Sequence, residues 1–137
     1  VDKALESMDL VRLSEKYLDQ LSGGEKQRAC IAMIIAQDTK YLLLDEPLNN
    51  LDMAHSVHIM KLLRRLVDEE GKTVILVLHD INFASCYSDS IIAMKQGKLV
   101  QHAATDEVIT TENLYEIYGM QIPVSEQGGR RYCLYHL

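Results

Sequence analysis

At 137 residues, with 14 Lys and Arg against 20 Asp and Glu and a formal net charge of −6, the chain has room for one hydrophobic core and not for two. The acidic balance and the lack of any basic block exclude a nucleic-acid surface or an anionic membrane patch as the main partner. The longest apolar runs, around Ile31–Ala36 and Val74–Leu78, fall far short of the roughly 20 residues that cross a bilayer. The start, Val1-Asp2-Lys3-Ala4-Leu5-Glu6, has no basic stretch leading into an apolar one, so no signal peptide is expected. Because the chain opens without Met and inside a helical pattern, it is expected to be part of a longer protein. Cys30, Cys86 and Cys133 are odd in number, widely spaced and set among apolar neighbours, which predicts buried free thiols in a reducing compartment.

In chain order, Asp2–Met8 and Ser14–Gln20 read as short helices with Leu5, Met8, Leu13, Tyr17, Leu18 and Leu21 as their apolar stripe. Ser22-x-x-Glu25 fits a capping box, opening a helix to about Ala36 that is expected to bury Cys30, Ile31, Ile34 and Ile35. The unbroken apolar run Tyr41–Asp45 predicts a strand buried on both faces. Asp52 can cap a helix over Met53–Glu70 with Val57, Met60, Leu63, Leu66 and Val67 on one face and Gly71 past its end. A second buried strand follows at Thr73–His79, and strand–helix–strand predicts a parallel pair. Ile81–Ser88 reads as a short helix, Ile91–Lys95 and Lys98–His102 as a hairpin turning on Gln96-Gly97, and Thr111–Tyr118 as a helix. Gln121–Ser125 and Arg130–Tyr135 read as a terminal hairpin.

Three places carry chemistry. Ser22-Gly23-Gly24 opens a helix, where unpaired amides and the dipole attract anions and two glycines let a phosphate oxygen approach the backbone. A plain capped helix start has the same signature. Asp45-Glu46 ends an apolar strand and precedes Pro47, placing two carboxylates at the carboxyl edge of a sheet. The Asp suits Mg²⁺ and the Glu a water to be polarised for attack on phosphorus, against the plainer reading of an acidic turn. His79 ends the second apolar strand and emerges at the same edge, or else is a structural histidine. His55 and His58 stand three apart on the long helix, but with no third ligand nearby they read as a solvated face. Gly71-Lys72-Thr73 imitates the end of a phosphate-binding P-loop. Leu66 stands where its first Gly is needed and the triplet runs from helix into strand, so it reads as a helix stop.

Leu-Ser-Gly-Gly-Glu-Lys-Gln-Arg over 21–28, then Tyr41-Leu42-Leu43-Leu44-Asp45-Glu46-Pro47, then His79 at a strand end, resembles the ATP-binding-cassette ATPases in order and spacing over nearly the whole chain. The resemblance implies an α/β fold, the C-terminal part of a P-loop NTPase domain. Residues 1–21 would end its helical subdomain, 22–104 would form the signature helix and second half of the ATPase core, and 105–137 a C-terminal helix and hairpin. It implies Asp45 as the Mg²⁺ aspartate, Glu46 as the catalytic carboxylate and His79 as the switch histidine at the γ-phosphate. Ser22, Gly23, Gly24 and Glu25 would form the signature turn facing ATP on the opposite subunit, and Asp52 would shape the site from the loop Asn49-Asn50-Leu51-Asp52. Glu25 stands where many members have Gln, and the Asn pair where they often have Ser-Ala. The preceding P-loop, its aromatic and the Gln-containing loop are not in the sequence.

ATP and Mg²⁺ are the implied cofactors. The implied partners are a second ATPase subunit in a head-to-tail dimer and transmembrane permease subunits, with neither nucleic acid nor direct membrane insertion, and the place is the cytoplasmic face of the cell membrane. Leu48–Met53, His79-Asp80-Ile81-Asn82 and Lys95-Gln96-Gly97-Lys98 look most like importers of iron–siderophore or related chelates. The alternative is a soluble, ribosome-associated ATPase of the same family, which shares Leu-Ser-Gly-Gly-Glu-Lys and an Asn in the loop. Members of that class follow the switch His-Asp with Arg and an aromatic, where this chain has Ile81-Asn82-Phe83-Ala84, and end in basic stretches that it lacks.

Overall fold

The computed structural model describes residues 1–136, which form two compact units, residues 1–79 and the chain from Asp80 onward. The first unit begins with α1 (Asp2–Ser7), which packs on α2 (Gly23–Ala36). Arg28 Nη1 donates to the Met8 carbonyl at 3.1 Å, and Ala4, Met8, Leu10, Leu21, Ile31 and Ala32 are buried. The helix expected over Ser14–Gln20 is not there. After a 3₁₀ turn at Val11–Leu13, the stretch holds only irregular turns and a second 3₁₀ turn at Leu18–Gln20. Tyr17 between them is extended (φ −74°, ψ 153°), its N–H bound by the Gln20 side chain at 3.1 Å, and that local cap outcompetes a continuous helix. Tyr17 and Leu18, expected in the apolar stripe, are exposed.

β1 (Tyr41–Asp45) and β2 (Thr73–Val77) pair in parallel, Tyr41 opposite Thr73 through Asp45 opposite Val77, joined by α3 (Met53–Glu70). Asp52 caps α3 by accepting from the His55 N–H at 2.9 Å, and Gly71 ends it at φ 65°, the left-handed conformation a Schellman-type stop requires. Ser56, Ile59, Met60, Leu62, Leu63 and Leu66 form its buried face. The strands are not buried on both faces as the apolar run predicts. Leu42 and Leu44 point into the core, whereas Tyr41 and Leu43 are 57% and 67% exposed, and Ile75 and Val77 beside them are 51% exposed each. Successive strand residues face opposite ways, and the described helices cover one face of this pair only. The second strand also stops at Val77, two residues short of His79.

The second unit starts with α4 (Ile81–Tyr87), capped by Asp80, whose Oδ1 accepts from the N–H groups of Asn82 and Phe83 at 2.8 and 3.2 Å. β3 (Ser90–Lys95) and β4 (Lys98–Ala104) form the first hairpin. Gln96 and Gly97 both have positive φ, 50° and 73°, as a type I′ turn needs. A short α5 (Thr105–Val108), unforeseen in the sequence, leads to α6 (Thr111–Tyr118) and the terminal hairpin β5 (Val124–Gln127) and β6 (Arg130–Cys133). Ile109, Leu114, Ile122 and Cys133 make the core. The Asn82 side chain donates to the Cys133 carbonyl at 3.2 Å and accepts from its N–H at 2.7 Å, completing the outer edge of β6 as another strand would.

The three cysteines are free, but only Cys133 is buried; Cys30 is exposed and Cys86 intermediate. Cys30 lies on the outward side of α2, where Met33 is exposed too. Ile34 and Ile35, also expected in the core, are only partly covered. Burial pushes the Cys133 thiol up to about 11.

Candidate functional site

The ends of β1 and β2 bring three sequence-predicted residues together. Asp45 closes β1 on the open face of the sheet, and its side chain is exposed. Glu46 turns the chain sharply, with φ 47° in the left-handed region where non-glycine residues are rare. Its N–H donates to the Val77 carbonyl at 3.1 Å, which ties the turn to β2. The turn directs the Glu46 carboxylate toward His79, and Oε1 lies 2.6 Å from the imidazole Nε2. Holding such a backbone costs on the order of 1–3 kcal/mol, and positions of this kind concentrate at sites of function.

Two further residues meet Glu46 that sequence reasoning did not single out. The Asn49 side-chain amide donates to Glu46 Oε2. Gln27, one turn into α2, donates through Nε2 to the Glu46 carbonyl at 3.4 Å. Nothing local in the sequence signals the Gln27 contact, which depends on how α2 lies beside the loop.

The signature turn forms the expected capping box. Ser22 N–H donates to Glu25 Oε2 at 2.7 Å and Ser22 Oγ accepts from the Glu25 N–H at 3.4 Å. The cap amide and hydroxyl of Ser22 hold the Glu25 carboxyl below its ordinary value. Gly23 and Gly24 lie against Asn50 and Leu51. A Cβ on Gly24 would come 3.2 Å from the Asn50 carbonyl oxygen, so glycine serves close packing here as well as any ligand. Asn50 is itself left-handed, at φ 60°.

Asp52 is taken up with its own helix. Its carboxylate accepts from the His55 N–H and lies 2.8 Å from His55 Nδ1, contacts that lower its pKa, the backbone bond first. His58 bonds the Ser7 carbonyl at 2.8 Å, so the two histidines of α3 serve different partners. Lys72 of the P-loop lookalike reaches Asp38 at 2.6 Å across the base of β2, in keeping with a helix stop.

Among the described residues no cluster of three or more His, Cys, Asp or Glu could hold a metal by itself. Oxygen donors from Asp45 and Glu46 suit Mg²⁺, which is usually held by one or two carboxylates, with waters and phosphate oxygens completing its shell. No helix of the described residues is long and apolar enough to cross a membrane.

The family description "ABC transporter" matches residues 1–49. The chain is 58% identical over 135 residues to the petrobactin import ATP-binding protein YclP of Bacillus subtilis (strain 168), covering 98% of this chain and 54% of that relative. The chain belongs to the ATP-binding-cassette family. It spans about half the length of the curated relatives it matches. Solved cassettes share its α/β fold. One, an ABC transporter in an inward-facing conformation, superposes over 98% of this chain and 55% of its own with a TM-score of 0.82 at 26% identity. Another, a dimeric ATP-binding cassette bound to ADP and Pi, superposes over 75% of this chain and 44% of its own at 0.71 and 36% identity.

Proposed function

We propose that this chain is the C-terminal half of the ATP-hydrolysing subunit of an ABC importer whose cargo is an iron–siderophore or related metal chelate. The observation that carries the reading is the Glu46 carboxylate, turned out of β1 beside Asp45 and met by His79 at 2.6 Å. The capped signature helix lies one loop away against Asn50 and Leu51. The cargo follows the Bacillus subtilis relative, a petrobactin import ATP-binding protein. The ribosome-associated alternative draws no support from that relative.

Mg·ATP supplies the γ-phosphoryl group and the charge that polarises it. Asp45 would hold Mg²⁺ through oxygen. Glu46 would orient and polarise the attacking water, its carboxylate kept in place by neighbours rather than by solvent. His79, 71% exposed at its side chain, would contact the γ-phosphate. Gly23 and Gly24 would offer backbone amides, and Ser22 its hydroxyl, at a helix start to the nucleotide of a second subunit in a head-to-tail dimer. The Glu25 carboxylate is bound back to the cap amide. Asp52 would support the site from the cap of α3. Within this reading residues 1–21 end the helical subdomain, 22–104 carry the core and 105–137 the C-terminal elements. The exposed face of Tyr41, Leu43, Ile75 and Val77 would pack against the P-loop half of the same cassette. Permease subunits would hold the assembly at the cytoplasmic face of the membrane.

The test is Mg²⁺-dependent ATP turnover by the full-length protein, purified alone and with its permease. Turnover that rises on assembly supports the reading. Normal chelate uptake in cells carrying a catalytically dead version argues against it.

A further inference from the structure

We propose that Asn49 is the positioning residue that holds the Glu46 carboxylate in its working orientation; this rests on the reading of Glu46 as the water-activating group. The two carboxylate oxygens have different partners, Oε1 meeting His79 and Oε2 accepting from the Asn49 side-chain amide. The two restraints differ in permanence. His79 has a side chain 71% exposed and is the group that would turn to phosphate when nucleotide binds. Asn49 is fixed by the chain itself: its backbone N–H donates to the Glu46 carbonyl at 3.2 Å, so the turn that orients Glu46 also sets the Asn49 side chain beside it. Gln27 donates to the same carbonyl. When His79 leaves, the amide of Asn49 is what still defines where Oε2 points, and with it where Oε1 meets a water.

A neutral amide suits this task. It donates a hydrogen bond without neutralising the carboxylate, whereas an Asp at the same place would set charge against charge. That contrast separates positioning from turn chemistry, because Asn and Asp serve turns almost equally well.

The experiment compares Asn49→Asp, Asn49→Ala, Asn49→Ser and Glu46→Gln in the full-length protein, reading kcat, KM for ATP and melting temperature. Positioning predicts that Asn49→Asp lowers kcat about 10- to 100-fold, the scale of a misplaced catalytic group, with KM and melting temperature unchanged. Asn49→Ala falls less and Asn49→Ser, which keeps a donor, least. Asn49→Asp at wild-type kcat, Asn49→Ala worse than Asn49→Asp, or melting temperatures that fall with the rates in all three would overturn the proposal. Wild-type turnover by Glu46→Gln would instead remove the reading of Glu46 on which it rests.

Discussion

Glu46 and His79 stand beyond the ends of different strands, yet their side chains meet at 2.6 Å. The parallel register sets Asp45 opposite Val77, and the Glu46 N–H bonds the Val77 carbonyl, so the two strand ends are level and the residues just beyond them converge. The pairing is a consequence of the βαβ unit, not of sequence proximity.

From this follows the expected behaviour of His79→Ala in the full-length protein. With 71% of its side chain exposed, His79 contributes little packing. ATP turnover is expected to fall about 10²- to 10³-fold, the usual cost of one lost transition-state donor. The melting temperature is expected to stay within a degree or two. A parallel loss of stability would make His79 a structural residue.

Gly24 has little room beside the loop that follows Glu46. A Cβ there would meet the Asn50 carbonyl oxygen at 3.2 Å and the Leu51 side chain at 3.5 Å. Gly24→Ala is therefore expected to push the Asn49–Asp52 loop and lower turnover several-fold without introducing charge. Gly24→Asp adds a carboxylate where phosphate is expected and should abolish ATP-driven dimerisation while ATP binding by the single subunit persists. Size-exclusion chromatography with ATP reads the difference. Normal dimerisation by Gly24→Asp would reduce the signature turn to a helix start.

The capping carboxylates give a pH signature. Glu25 and Asp52 are held below their ordinary values by the Ser22 and His55 contacts, as Asp38 is by Lys72 and Asp68 by Arg64. A folded pKa below the unfolded one means that the unfolded chain takes up protons first. The stabilisation is therefore complete above the ordinary carboxylate values and disappears as pH falls through the lowered ones. These groups are exposed, so screening keeps each contribution small. The unfolding midpoint is expected to be flat near neutrality and to decline below about pH 4. Glu25→Gln should flatten that decline in thermal scans, and an unchanged acid slope would count against the cap.

Much of this was legible in the sequence because short-range chemistry decides it. The Ser22–Glu25 box, the Asp52 cap, the Gly71 stop and the Gln96-Gly97 turn are each settled within a few residues. The region 14–20 misled because its apolar spacing is compatible with a helix, while a side-chain cap at Tyr17 favours an extended residue there. The strands misled differently. Their apolar content on both faces predicts cover on both, whereas the described helices cover one, so Leu43 and Ile75 lie open. At the site, the motif residues could be named from their order, but the Gln27 and Asn49 contacts to Glu46 depend on the left-handed turn, which no residue type announces.

Whether Glu46 activates the water that attacks ATP is decided by Glu46→Gln in the full-length protein. The amide keeps the shape of the side chain and can still meet Asn49 and His79, but it loses the charge that polarises water. Steady-state phosphate release is expected to fall by at least about 10²-fold, with ATP affinity retained and an ATP-bound dimer accumulating on size-exclusion chromatography. Phosphate release at near wild-type rate, with no accumulation of dimer, would contradict that role for Glu46.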